Sequence, residues 1–209
     1  MFDIFENMPW AKRKQIENKF NINIEDLIVI GEGSYGTAFQ IDNKSVLKVT
    51  PAVAEINALS FLIHKGLNLK PGIATVLEDD ILETKYKYYE RLFFYRTELL
   101  MPAEKAFDWA SQRDLLELHD EIDIRASITR LYSITLDIIP SDYSKAIIDQ
   151  GILDVPMLVP IALALKPAFD LGVRIWDTKT DNMGFRLDEK GNPALDAGLV
   201  FFDPLMGTW

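Results

Sequence analysis

Six residues, Gly31-Glu32-Gly33-Ser34-Tyr35-Gly36, sit between two strand-type runs, and that placement restricts the fold more than any other feature of the chain. Leu27-Ile28-Val29-Ile30 precedes them, and Thr37-Ala38-Phe39-Gln40-Ile41 follows with polar and apolar residues alternating. The polar turn Asp42-Asn43-Lys44 comes next. A dinucleotide-binding unit needs strand, glycine loop and then helix. The alternation after Gly36 does not suit a helix, so the loop is expected to join antiparallel strands. Glycines there let backbone amides approach an anionic group without side chains in the way. An ordinary glycine-rich hairpin fits the same residues when they are read in isolation.

The neighbouring segments extend this pattern. Ser45-Val46-Leu47-Lys48-Val49 reads as a third strand. Pro51 then suits a helix start, and the helix runs through Ala54, Ala58 and Leu62 to a stop at Lys65-Gly66. Residues 73–83 and 86–101 are strand-rich. After Pro102 helical periodicity dominates over residues 104–171, most clearly in 126–136 and 158–171. Strand signals return at 183–187 and 199–202, with a turn at 188–192 between them. Residues 9–20 read as a helix with Trp10, Ile16 and Phe20 on one side. The reading is α+β, with a strand-rich lobe over residues 1–101 and a mainly helical lobe over 102–209.

Composition excludes several classes. The net charge is −10 and the basic residues are scattered, which argues against nucleic-acid binding. There are no cysteines, hence no disulfide or thiolate metal site. His64 and His119 have no second histidine at ligand spacing. The N-terminus lacks a signal-peptide pattern, and the apolar stretch 155–165 is broken by Pro156 and Pro160. A soluble, cytoplasmic protein without a membrane partner is expected.

Three further residues and one loop carry chemistry. Lys48 lies twelve residues past Gly36, a distance that lets the next-but-one strand bring an ammonium under the glycine loop. As a lone residue it also fits an edge-strand solubiliser. Glu55 is the only acid between Lys48 and Glu78, so it is the local counter-charge, or else an acid favouring the helix N-terminus. Asp177-Thr178-Lys179-Thr180-Asp181-Asn182 follows an apolar helix and the short run Val173–Trp176. Its carboxylate and amide, five residues apart, can be aimed the same way by a compact loop. A polar turn is the plain alternative. Asp203 ends a run, Leu199–Phe202, expected to form a hairpin with 183–187, which brings it beside Asn182. Two oxygen ligands at adjacent strand ends suit magnesium, and an acid that merely ends a strand is the alternative.

Taken in order, these pieces resemble the protein-kinase-like superfamily over residues 24–203. The resemblance implies a two-lobed fold with an antiparallel sheet lobe, a reduced helical lobe and ATP in a cleft. Gly31, Gly33, Ser34 and Gly36 would cover the phosphates. Lys48 would hold the α- and β-phosphates and pair with Glu55, and Leu100 and Met101 would lie beside adenine. Asp177 would be the catalytic base and Lys179 would aid transfer. Asn182 and Asp203 would bind Mg2+.

Two departures qualify it. Ile175-Trp176 stands where protein kinases carry His-Arg before the catalytic aspartate, and Pro204-Leu205 stands where Phe-Gly follows the metal aspartate. With six residues after Asp203, no activation segment or peptide-docking helix is expected within the chain, nor any activating phosphorylation of it. The expected function is ATP- and magnesium-dependent phosphotransfer to a hydroxyl, on a protein serine or threonine ahead of a small molecule. The other alternative is a kinase-like binding protein without transfer.

Overall fold

The computed structural model describes residues 4–33, 36–76, 80–86, 89–203 and 205–207. The chain divides into two compact units, residues 1–56 with 75–99 and residues 57–74 with 100–209.

The first unit is built on a five-stranded sheet. After helix α1 (Trp10–Phe20) come β1 (Ile28–Gly33), β2 (Gly36–Gln40) and β3 (Ser45–Thr50), then α2 (Val53–His64), β4 (Ile81–Tyr86) and β5 (Tyr89–Glu98). The strand order is β1-β2-β3-β5-β4, and every neighbouring pair is antiparallel. The β2–β3 turn closes because the Asp42 carboxylate accepts the Lys44 and Ser45 amides at 2.7 and 2.8 Å.

Alternation along β3 separates two faces. Leu47 and Val49 join Phe39, Leu92 and Phe94 in an apolar cluster on one face. Ile16 and Phe20 of α1 complete that cluster, and the Arg96 guanidinium donates to the Phe20 carbonyl. Each such buried side chain stabilises the fold by about 1.5–3 kcal/mol. Trp10 departs from the expected helix face: it is 73% exposed, because its spacing from Ile16 carries it away from the cluster.

The second unit is mainly helical. Strand β6 (Leu100–Pro102) leads into α3 (Ala103–Ser111), α4 (Leu118–Asp137), α5 (Tyr143–Asp149) and α6 (Val159–Asp170). Strands β7 (Arg174–Trp176), β8 (Met183–Arg186), β9 (Val200–Phe201) and β10 (Leu205–Gly207) follow. They form a three-stranded sheet, β6-β8-β9, and a two-stranded pair, β10-β7.

The expected hairpin between 183–187 and 199–202 is present as β8 against β9, with Met183 opposite Phe201. Its connection turns on Asp188, whose carboxylate accepts the Lys190 and Asn192 amides, each at 2.8 Å. The core of this unit contains Phe107, Ile128, Leu131, Leu165, Phe169, Phe185 and Phe201. Leu62, Leu67 and Ile73 belong to the same core, which is why residues 57–74 group with this unit.

Tyr143 is fully buried, stacks on Phe169 at 4.1 Å between ring centroids and donates to the Ala162 carbonyl at 3.1 Å. Gly72 is required by packing, since a Cβ there would fall 2.2 Å from the Pro160 carbonyl oxygen. Among the described residues no helix is long and apolar enough to cross a membrane.

Candidate active site

In the first unit, Lys48 and Tyr95 are cross-strand partners on β3 and β5, so their side chains share a face of the sheet. That face is opposite to the one carrying Leu47 and Val49. Glu55 lies in the first turn of α2 and is completely buried. Its Oε1 is 2.8 Å from the Lys48 ammonium and also accepts the Tyr95 hydroxyl. The lysine and glutamate expected to pair are therefore paired. A buried carboxylate is expensive unless charge-paired and hydrogen-bonded, and this one has both kinds of partner. Glu55 still sits where a helix dipole favours an acid, so the two readings of it coexist.

The glycine hairpin joins the edge strand β1 to β2, with Gly33 opposite Gly36 and Gly31 opposite Ala38. Ser34 lies outside the described residues. The three described glycines differ in kind. A Cβ at Gly36 would lie 2.2 Å from the Val49 carbonyl oxygen, so this glycine serves the close approach of β2 to β3. A Cβ at Gly33 would meet nothing within 4 Å, and one at Gly31 would make only ordinary contact with Ala38 Cβ at 3.9 Å. Packing among the described residues does not require these two glycines. They leave bare backbone on a strand that is exposed along its whole length.

In the second unit, β7 delivers the chain to Asp177, where φ is +73°. An L-residue in this left-handed region stores strain of about 1–3 kcal/mol, which surrounding structure must hold. The holding groups are identifiable. The Asn182 side-chain amide donates to the Asp177 carbonyl at 2.9 Å and to its Oδ2 at 2.7 Å. The Lys179 ammonium is 3.4 Å from Asp177 Oδ1 on the exposed side of the loop. Asp177 and Asn182 are each only 6% exposed. The loop thus brings together Asp177, Lys179 and Asn182, all three named from sequence.

Asp203 is half-buried and follows Phe202, whose amide donates to the Asn182 carbonyl at 3.0 Å. That bond prolongs the β8–β9 ladder by one step and sets Asp203 next along the strand from Asn182's partner. Leu100 and Met101 lie in β6, opposite Arg186 and Phe185 of β8. Among the described residues no group of three histidine, aspartate or glutamate side chains could hold a metal ion. The residues present suit a different arrangement. The Asn182 amide nitrogen is committed to Asp177, which leaves Oδ1 as the acceptor. An amide oxygen and a carboxylate are hard ligands of the kind Mg2+ takes when substrate phosphates complete its shell.

Two contributors were not foreseen. Tyr95 is hidden in a strand-type run where its apolar ring suffices to explain it. Thr178 is fully buried, and its hydroxyl lies 2.8 Å from that of Thr135 on α4. Nothing in the sequence separates Thr178 from a turn-forming threonine.

The sheet unit has a glycine hairpin at one edge, a strand lysine and a helix glutamate. The helical unit has an Asp-x-Lys-x-x-Asn loop ahead of a hairpin. The fold is α+β.

No protein-family model and no curated protein matches the sequence. Solved structures similar to it include aminoglycoside phosphotransferases, proteins of protein-kinase-like fold. The streptomycin–ATP ternary complex of APH(2″)-IIa is 15% identical with a TM-score of 0.41, over 97% of this chain and 73% of that one. APH(2″)-Ib with ADP is also 15% identical, with a TM-score of 0.42, over 96% and 73%. An APH(4)-Ia ternary complex with AMP-PNP and hygromycin B has a TM-score of 0.30 at 15% identity. The match spans 45% of this chain and under a third (30%) of that one.

Proposed function

We propose that this chain transfers the γ-phosphoryl group of ATP to a hydroxyl, with Mg2+ as cofactor. The observation that carries the reading is Asp177: a buried carboxylate on a left-handed backbone, held by Asn182 and flanked by Lys179. Asn21 and Asp114 share the positive φ, but Asp177 combines it with burial, an amide clamp and an adjacent ammonium, a combination that suits an active-site carboxylate.

Asp177 orients the acceptor hydroxyl and takes its proton. The acceptor oxygen forms a bond to the γ-phosphorus as the bond to the ADP oxygen breaks. Lys179 offsets charge on the phosphoryl group in transit. Lys48, fixed by Glu55, binds the α- and β-phosphates, and the bare backbone at Gly31 and Gly33 admits phosphate oxygens to the amides. Asn182 and Asp203 are the residues that would hold Mg2+, which would supply charge neutralisation for the phosphates.

For the acceptor we place a small molecule ahead of a protein, reversing the order drawn from sequence. The protein-kinase pattern departs on both sides of the site, at Ile175-Trp176 and at Pro204-Leu205. Those are positions through which protein kinases organise a segment for peptide substrates. The small molecules named with the similar structures belong to those proteins. The proposal here is the class alone, a hydroxyl-bearing small molecule.

The test is to incubate the protein with ATP labelled at the γ-phosphate, magnesium, and a cell extract split into small-molecule and protein fractions. Label in a small-molecule phosphate ester, lost without Mg2+, is expected. Label in protein alone would restore the protein acceptor. ATP binding without transfer to either fraction would favour a kinase-like binding protein.

A further inference from the structure

The strained Asp177 backbone is fixed on its N-terminal side by β7, where Trp176 pairs with Leu205. On its C-terminal side the next residue, Thr178, points into the core and is fully buried. Its hydroxyl meets Thr135, also fully buried, on the last turn of α4. The Thr135 hydroxyl donates to the Tyr132 carbonyl at 3.0 Å. A hydroxyl has one proton, so Thr135 accepts and Thr178 donates. The proton order is therefore set along a chain from Thr178 to Thr135 to the α4 backbone.

We infer that Thr135 is a positioning residue for the transfer reaction, acting through the Thr178 hydroxyl to hold Asp177 in its left-handed conformation. This rests on the phosphotransfer reading for its kinetic consequence, though not for its structural one. Helix α4 is anchored in the core through Ile128, Leu131 and Ile134. A hydrogen bond to it transmits that rigidity to the residue beside Asp177. Without the bond, φ at 177 can relax toward the ordinary region, and the carboxylate moves off the acceptor. Misplacement on the ångström scale costs about 100-fold in rate.

The experiment uses Thr135→Val, Thr135→Ser and the double variant Thr135→Val with Thr178→Val. The single valine strands a buried donor and lowers the melting temperature for that reason alone. The double variant removes both hydroxyls, leaves no stranded donor and restores the melting temperature. Two readouts are taken: amide hydrogen exchange of residues 174–183, and steady-state kinetics.

In the double variant the inference expects lost exchange protection in that segment. It also expects kcat down by about 10- to 100-fold, with KM for ATP within about twofold of wild type. Thr135→Ser is expected to behave as wild type in both readouts. A double variant with wild-type exchange at 174–183, or with kcat restored along with its melting temperature, would overturn the inference. If wild-type protein shows no transfer, the phosphotransfer reading fails by itself. The exchange pattern alone then supports or overturns the positioning role.

Discussion

Lys48 and Tyr95 face each other across β3 and β5 and converge on one oxygen of Glu55. The carboxylate is completely buried, so each partner offsets part of its desolvation. Replacing Lys48 with alanine removes the charge partner of this buried carboxylate, leaves it the Tyr95 hydroxyl, and is expected to cost about 3–5 kcal/mol. Tyr95→Phe removes a hydroxyl and keeps the lysine, with an expected cost of about 1–3 kcal/mol. Urea unfolding of both variants checks the order. A Tyr95→Phe loss equal to that of Lys48→Ala would show that the ion pair is not the dominant partner.

The glycines of the hairpin should separate into structural and functional members. Gly36→Ala places a Cβ against the Val49 carbonyl, a backbone atom that cannot yield cheaply. A clear drop in melting temperature is expected. Gly33→Ala meets open space, and its fold stability should stay within about 1 kcal/mol of wild type. Nucleotide affinity should nonetheless fall, since the added methyl occupies the surface offered to phosphates. Calorimetric titration with Mg-ATP, alongside melting curves, distinguishes the two. Unchanged affinity in Gly33→Ala would remove this glycine from the site.

Mg-ATP should stabilise the native state. Binding to the folded form alone adds about 2.7 kcal/mol at a hundredfold excess over Kd. Asp203→Ala should reduce this gain when magnesium is present, because it removes a proposed ligand. A melting temperature that ignores millimolar Mg-ATP would count against every nucleotide-binding reading of the chain.

Alkaline pH should weaken the second unit through Tyr143. Burial raises its hydroxyl pKa well above the ordinary tyrosine value near 10. In the unfolded chain the group ionises near pH 10, whereas in the folded chain it stays neutral. Its contribution is complete below about pH 10 and declines as pH rises beyond that toward the folded value. Tyr143→Phe should remove this component of the alkaline slope at a cost near neutrality of about 1 kcal/mol for the lost hydrogen bond. Stability curves between pH 7 and 11, compared for the two proteins, are the check. Identical slopes above pH 10 would refute the assignment.

What the sequence disclosed followed the type of signal. Alternating runs and glycine–proline punctuation revealed β1 to β3, α2 and the β8–β9 hairpin, because these depend on local periodicity, whereas the strand expected from residue 73 begins only at Ile81. Lys48 could be paired with Glu55 beforehand because charge left one nearby partner, whereas for Asp177 and Asn182 the sequence showed only that one compact loop carries both. Trp10 was misplaced because aromatic character alone does not fix a helix face. Long-range packing was illegible: nothing local groups Leu62, Leu67 and Ile73 with residues a hundred positions later, as they are in the second core. Tyr95 and Thr178 were likewise hidden. Their hydroxyls matter only through partners 40 and 43 residues away.

The most direct test is the Mg-ATP turnover of wild type against Asp177→Asn, in protein shown to bind ATP equally in both forms. Asparagine keeps the size of the side chain and removes its capacity to take a proton. The account expects kcat to fall by about 100- to 10,000-fold, with the Kd for ATP unchanged. Wild-type turnover in Asp177→Asn would contradict the assignment of Asp177 as the base, and with it the reading of this loop as the catalytic centre.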